Sequence, residues 1–135
     1  MNKQELRDLM QSEGSSDVTY KIKGYNCLAV RHDLGFWCGY VYIPKEDLNA
    51  ELIPHLQAYG GLNYQEQTLD YNVVGFDCCK AKDIVPYLYL NSELFNTQMI
   101  NYRDLKFVKA EFESIIEQLI DGKYKIRSVK LNNLF

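Results

Sequence analysis

From Asp17 to Lys23 the chain alternates without a break, with Val18, Tyr20 and Ile22 opposed to Thr19, Lys21 and Lys23. A period of two marks a strand buried on one face. Gly24 interrupts the run, and two further strands are predicted from Tyr25 to His32 and from Phe36 to Ile43, the second stopped by Pro44. Between them, Asp33-Leu34-Gly35 has the composition of a three-residue hairpin connection whose glycine takes the left-handed conformation. Leu62 to Gln67 reads as a short alternating strand. Leu69 to Cys79, with Val73, Val74, Phe76 and Cys78, reads as a buried one, and its internal Gly75 marks a bulge or a close backbone approach.

Helical patterns frame these strands. Asn2 is placed to cap a short helix reaching Gln11, with Glu5 three residues on and Leu6, Leu9 and Met10 as its apolar stripe; Glu13-Gly14-Ser15-Ser16 ends it. Toward the other end Asn101 reads as a cap, with Asp104 in the first turn. Leu105, Val108, Phe112, Ile115, Ile116 and Leu119 then follow the three-four spacing of one helix face until Gly122. Lys45 to Tyr59, broken by Pro54, is expected to be a loop with a helical turn or two, and Lys80 to Asn101 to hold one short strand or a helical turn. Hairpin-joined strands with helices at both ends predict an α+β fold, a mostly antiparallel sheet with a short N-terminal and a long C-terminal helix packed on it. No repeat, linker or low-complexity tract divides residues 1–135, so a single domain is expected.

A chain of 135 residues can bury a continuous core without staples. The four cysteines lack the paired knuckles of a structural zinc site, and adjacent Cys78 and Cys79 point to opposite faces of a strand. Cys27 and Cys38 are expected on neighbouring strands with opposite facing. The expectation is four free thiols in a reducing cytoplasm, no metal and no cofactor. A net charge of −3 leaves no basic footprint, so direct nucleic-acid binding is not expected. The basic run Lys123-Tyr124-Lys125-Ile126-Arg127 with Lys130 reads as a solvated strand edge. No run approaches the roughly 18 apolar residues of a membrane span, and the polar N-terminal octet is no signal peptide. Eleven tyrosines suit half-buried sheets and contact surfaces alike.

The richest polar cluster is Asp77-Cys78-Cys79-Lys80-Ala81-Lys82-Asp83. Asp77 interrupts an apolar strand, and burying its carboxylate unpaired would be costly. Pairing with Arg31 or Lys80 is one resolution; a site carboxylate at a strand end is the other. If the sheet brings Tyr59, Gly60 and Gly61 beside it, then Asp77, Lys80 and Asp83 join a phenol and free backbone donors on one polar patch, with Tyr64 and Trp37 as aromatic anchors. His32 and His55 are the only histidines, and no local motif joins either to Cys78 as a nucleophilic pair.

Five ordered blocks carry a resemblance. Gly24-Tyr25-x-Cys27-x-x-Val30-Arg31, Cys38-Gly39-Tyr40-Val41-x-Ile43-Pro44, Gly60-Gly61-Leu62-x-Tyr64, Gly75-Phe76-Asp77-Cys78 with Asp83, and Tyr102-Arg103-Asp104 resemble a family of small phage and prophage proteins. That family typically carries His-Gly-Gly at the first glycine pair and Asp-Cys-x-His at the second block, where this chain has Tyr59 and Lys80. Neither replaces an imidazole near neutral pH. The resemblance implies a phage setting and weakens an enzymatic reading; the leading expectation is an accessory protein acting in the host cytoplasm by binding a host defence protein or a nucleotide-like signal and so inhibiting antiphage defence. Two other classes compete: a small hydrolase built on Asp77, Asp83 and Lys80, and a virion-associated structural protein. A homo-oligomer stays open.

Overall fold

The computed structural model describes the backbone of residues 1–91 and 98–132 and the side chains of residues 1–91 and 98–122. Strands β1 (Val18–Ile22), β2 (Tyr25–Arg31), β3 (Trp37–Pro44), β4 (Tyr64–Gln67) and β5 (Tyr71–Asp77) form one antiparallel sheet in the order β1-β2-β3-β5-β4. Helix α1 (Lys3–Glu13) precedes them, a 3₁₀ helix (Leu48–His55) follows β3, and α2 (Pro86–Asn91) and α3 (Leu105–Asn132) follow β5. The fold is α+β, as the pattern predicts.

The hairpins follow from local chemistry. Ile22 faces Tyr25 across a two-residue turn in which Lys23 and Gly24 both have positive φ, 48° and 89°. That geometry matches the right-handed twist of paired strands. In the next turn Gly35 N–H donates to the His32 carbonyl (2.8 Å) and His32 N–H to the Phe36 carbonyl (2.7 Å), with Gly35 at φ 98°. This is the three-residue connection expected.

Strand parity sorts the sheet into two faces. Val18, Tyr20, Ile22, Cys27, Ala29, Trp37, Val41, Ile43, Val74 and Phe76 share one face, and α3 covers it with Val108, Phe112, Ile115, Ile116 and Leu119. Phe112 stands between Phe76 and Tyr20, at centroid distances of 5.7 and 5.8 Å. Thr19, Lys21, Asn26, Leu28, Val30, Cys38, Tyr40, Tyr42, Tyr64, Glu66, Tyr71 and Val73 point the other way. Among the described residues no element covers that second face, and most of its side chains are exposed or half-buried. Cys27 and Cys38 do fall on opposite faces, with Cys27 opposite Val41 and Cys38 opposite Val30.

Helix α1 forms as its sequence dictates: Asn2 accepts the Glu5 N–H (2.7 Å), and Gly14 closes the far end. Leu6 is buried with Ile84 and Tyr89 in a second, smaller cluster beside α2. The long helix departs from expectation at both ends. Asp104, not Asn101, is its cap: Asp104 Oδ1 accepts the Phe107 N–H at 2.9 Å. Asn101 is instead spent on a short bridge, its N–H donating to Lys82 O and its carbonyl accepting from Ile84. Gly122 does not stop α3; it lies within the helix, where a Cβ would overlap Leu52 of the 3₁₀ helix. The glycine marks a close packing contact. The basic run from Lys123 to Lys130 therefore has helical backbone and is no strand edge, while its side chains lie outside the described ones. Leu69 sits in the β4–β5 turn, 89% exposed, so the buried strand begins only at Tyr71.

Candidate functional site

Beyond β5 the chain turns back on itself. Asp83 N–H donates to the Lys80 carbonyl (3.0 Å), and Lys82 adopts a left-handed φ of 69°. This turn drives Asp83 inward, to 2% exposure, so it is buried and not part of the surface patch it was expected to join. The buried carboxylate is fully engaged. It accepts the Tyr59 hydroxyl at 2.7 and 2.6 Å, the Lys80 N–H at 3.0 Å and Arg103 Nε at 3.1 Å. Arg103 in turn lies over the Tyr59 and Phe107 rings, 5.0 and 4.8 Å from their centroids. Burial, then the hydrogen bond to Asp83, pushes the Tyr59 phenol above its ordinary pKa. One carboxylate thus ties three segments: the loop before β4, the loop after β5 and the approach to α3.

A second polar layer lies over this node, half-exposed. Asp77, the last residue of β5, accepts the Cys79 N–H (3.1 Å) and the Asn63 amide, and pairs with Lys80 Nζ at 3.1 Å. Its cation is Lys80, not Arg31. The Lys80 stem runs directly beneath Gly60, where a Cβ would overlap Lys80 Cε. Gly60 and Gly61 both have positive φ, and Gly61 N–H is taken by the Ala58 carbonyl at 2.8 Å. The sheet therefore brings the Tyr59–Gly61 and Asp77–Asp83 segments into contact, as the sequence required of a shared patch. Chemically the surface is a neutralised pair set among backbone and amide groups.

Three residues expected at this patch lie elsewhere. Trp37 is fully buried in the core, so it is no surface anchor. Arg31 stacks 4.1 Å above the Trp37 ring and clamps the end of α1, donating to the Gly14 and Gly35 carbonyls (2.7 and 2.9 Å) and to Tyr102 Oη (2.6 Å). A cation there also meets the negative end of the helix dipole. Tyr64 lies on the open sheet face, edge-on to Tyr40 at 5.1 Å. Sequence reasoning missed Arg103, Asn63, Tyr102 and Glu13 as partners. The available signal was Tyr102-Arg103-Asp104, whose three side chains face three tasks: Tyr102 donates to Glu13 (2.6 Å), Arg103 holds Asp83, and Asp104 caps α3.

The thiols are poorly suited to nucleophilic work. Burial pushes Cys27 up to about 12 and Cys38 up to about 11, and raises Cys78 further. Nucleophilic cysteines need the opposite shift. His32 stacks on Phe36 (4.3 Å) and accepts the Leu34 N–H at Nδ1.

Comparison with protein-family models, curated proteins and solved structures finds no match to this chain. No helix among the described residues is long and apolar enough to cross a membrane. What the fold and the site define is a class: a small α+β domain presenting two surface loops fixed from beneath by a buried carboxylate and its half-exposed arginine partner.

Proposed function

We propose that this chain is a phage or prophage accessory protein that acts by binding, and that it counters a bacterial defence system by occupying a host protein. The observation supporting this reading is the cost laid out under the two loops. Burying a carboxylate and most of a guanidinium gains little stability over apolar packing, and its benefit is fixed geometry. Here the geometry fixed is that of Asn63, Gly60, Gly61, Asp77, Cys79 and Lys80, an exposed or half-exposed set at the end of the sheet. Loops that are already ordered lose little entropy when a partner docks. Because Lys80 is matched by Asp77, the surface offers both signs of charge in register. That suits a polar loop of a protein better than a polyanionic nucleotide. A hydrolytic reading has less support, since every Asp83 oxygen is occupied and the neighbouring thiols are held protonated. The phage setting rests on the sequence blocks.

The test is plaque formation on hosts carrying individual defence systems, with the chain expressed in trans. Wild type should restore plating on at least one such host. Asp77→Asn with Lys80→Gln removes both charges and keeps both side chains polar. This variant should melt close to wild type, since a half-exposed ion pair contributes only about 0–1 kcal/mol, yet lose the restoration. Full restoration by the double variant would move the contact surface away from these loops. Failure of wild type on every defended host would remove the anti-defence reading itself.

A further inference from the structure

Among the described residues the second face of the sheet has no cover, and its two edges are unlike. Pairing runs in rows across all five strands. One row is Lys21–Asn26–Tyr42–Val73–Glu66, and the next is Thr19–Leu28–Tyr40–Gly75–Tyr64. Both rows point to the open face. A lysine thus stands at one edge and a glutamate at the opposite edge of the same row. Among the described residues Lys21 makes no ion pair. The next row ends in Tyr64, an exposed ring whose hydroxyl donates to Glu66. On the far side, Thr19, Lys21, Asn26, Leu28 and Tyr42 line a depression of about 340 Å³.

We propose that two copies of this chain stack through this face about a two-fold axis parallel to β3. Such an axis lays β1 over the partner's β4 and β2 over its β5 while keeping every residue in its own row. Lys21 then meets Glu66 of the other copy, twice by symmetry. Each Tyr64 ring projects toward the opposite depression, and Tyr40 and Tyr42 meet their own counterparts on the axis. An axis perpendicular to the strands would set Lys21 against Lys21 and Glu66 against Glu66, so charge selects the first arrangement. Aligned sheet stacking with strands within about 30° is the ordinary geometry for such faces. Tyrosine-rich, half-apolar composition is what interface cores favour. At about 4.8 Å between strands and about 3.3 Å per residue, the face spans roughly 500 Å² in projection. Two such faces reach only the lower bound for a specific interface, about 1,000 Å² in total. The dimer is therefore reversible and concentration-dependent. It uses a face separate from the Asp77–Lys80 loops and stands independently of the proposed function.

Sedimentation equilibrium on the full chain tests it, at concentrations from about 10 μM to about 1 mM, the range of a weak complex. Wild type should pass from monomer to dimer. Lys21→Glu and Glu66→Lys should each weaken the dimer by on the order of tenfold, because each reverses two symmetry-related pairs. An equimolar mixture of the two variants restores opposite charge at both contacts and should recover association, as should both changes in one chain. Tyr64→Ala should weaken it without touching charge. A monomer throughout overturns the proposal. So does a dimer indifferent to all three substitutions, or a mixture that associates no better than its components. Thermal melts identify any variant that is misfolded, and the charge-exchange test then rests on the double variant alone.

Discussion

Asp83→Asn isolates the node on which the loop geometry depends. The substitution keeps the shape and removes the charge and half of the accepting capacity. Native Asp83 receives the Tyr59 hydroxyl on both oxygens, Arg103 on Oδ1 and the Lys80 N–H on Oδ2. An amide can turn its oxygen toward only one side. With the oxygen toward Arg103, its NH2 confronts the Lys80 N–H, two donors face to face in a buried site; an unsatisfied buried group of this kind costs about 1–3 kcal/mol. Loss of the ion pair adds less than a fully buried pair would, because the Arg103 side chain is 28% exposed and screened by solvent. The total is about 2–4 kcal/mol. For a domain of this length, that lowers the melting temperature by roughly 10 °C. The informative assay couples the melt to amide hydrogen exchange, because the claim concerns two loops and not global stability alone. The Lys80 amide and the amides of residues 58–61 should exchange faster at temperatures well below the melt. Tyr59→Phe, which removes one donor and leaves the carboxylate with two, should cost only about 1 kcal/mol. If Asp83→Asn melts within about 2 °C of wild type and Lys80 keeps its protection, the carboxylate is not what holds these loops, and the argument for a fixed contact surface fails with it.

Two further expectations come from the core and the thiols. Phe112 is fully buried between Phe76 and Tyr20, so Phe112→Ala should cost about 3–5 kcal/mol in urea unfolding; a loss under about 1 kcal/mol would show that α3 is not seated on the sheet. Cys27 and Cys38, pushed by burial up to about 12 and about 11, stay neutral in the folded chain but ionise near 8.5 when it unfolds. Their contribution is thus complete below about pH 8.5 and is lost above it, by about 1.4 kcal/mol per group per pH unit until the folded pKa is reached. Cys27→Ala should flatten the decline in melting temperature between about pH 8.5 and about pH 10.5, and an equal slope in both proteins would contradict the assignment.

The elements legible in the sequence were those whose pattern and punctuation agree. Val18-Thr19-Tyr20-Lys21-Ile22 alternates, its turn has a glycine, and the strand appears where the alternation is. Asn2 and Glu5 sit three apart ahead of an apolar stripe, and α1 begins there. Reading failed where one residue type serves two ends. Gly122 looks like a helix stop because glycine commonly ends helices, yet in α3 it admits Leu52, a contact 70 residues away. Asn101 looks like a cap, but its backbone is claimed by Lys82 and Ile84, leaving the cap to Asp104. Both errors come from tertiary contacts that no local window contains.

The polar constellation shows the same limit in sharper form. Asp77 and Asp83 lie six residues apart with Lys80 midway, and nothing local says which carboxylate faces water. The left-handed turn at Lys82 decides it, sending Asp83 to Tyr59 and Arg103 and leaving Asp77 at the surface with Lys80. Arg31 is sorted in the same way, drawn over Trp37 to hold α1. Charge that was legible as one site therefore divides by depth. The buried charges bind the chain to itself, and the half-exposed pair Asp77 and Lys80 is left at the surface, where the proposed contact lies. The division also explains why a tyrosine can stand at position 59. Its phenol donates to the Asp83 carboxylate beside the Arg103 guanidinium, a task that needs a hydrogen-bond donor and a ring for Arg103 to cover. A histidine at that place would bring a proton that comes and goes; the tyrosine gives the same anchor at every physiological pH. The loops above it are held in one arrangement, which is the property a stoichiometric binder requires and a proton-shuttling site does not.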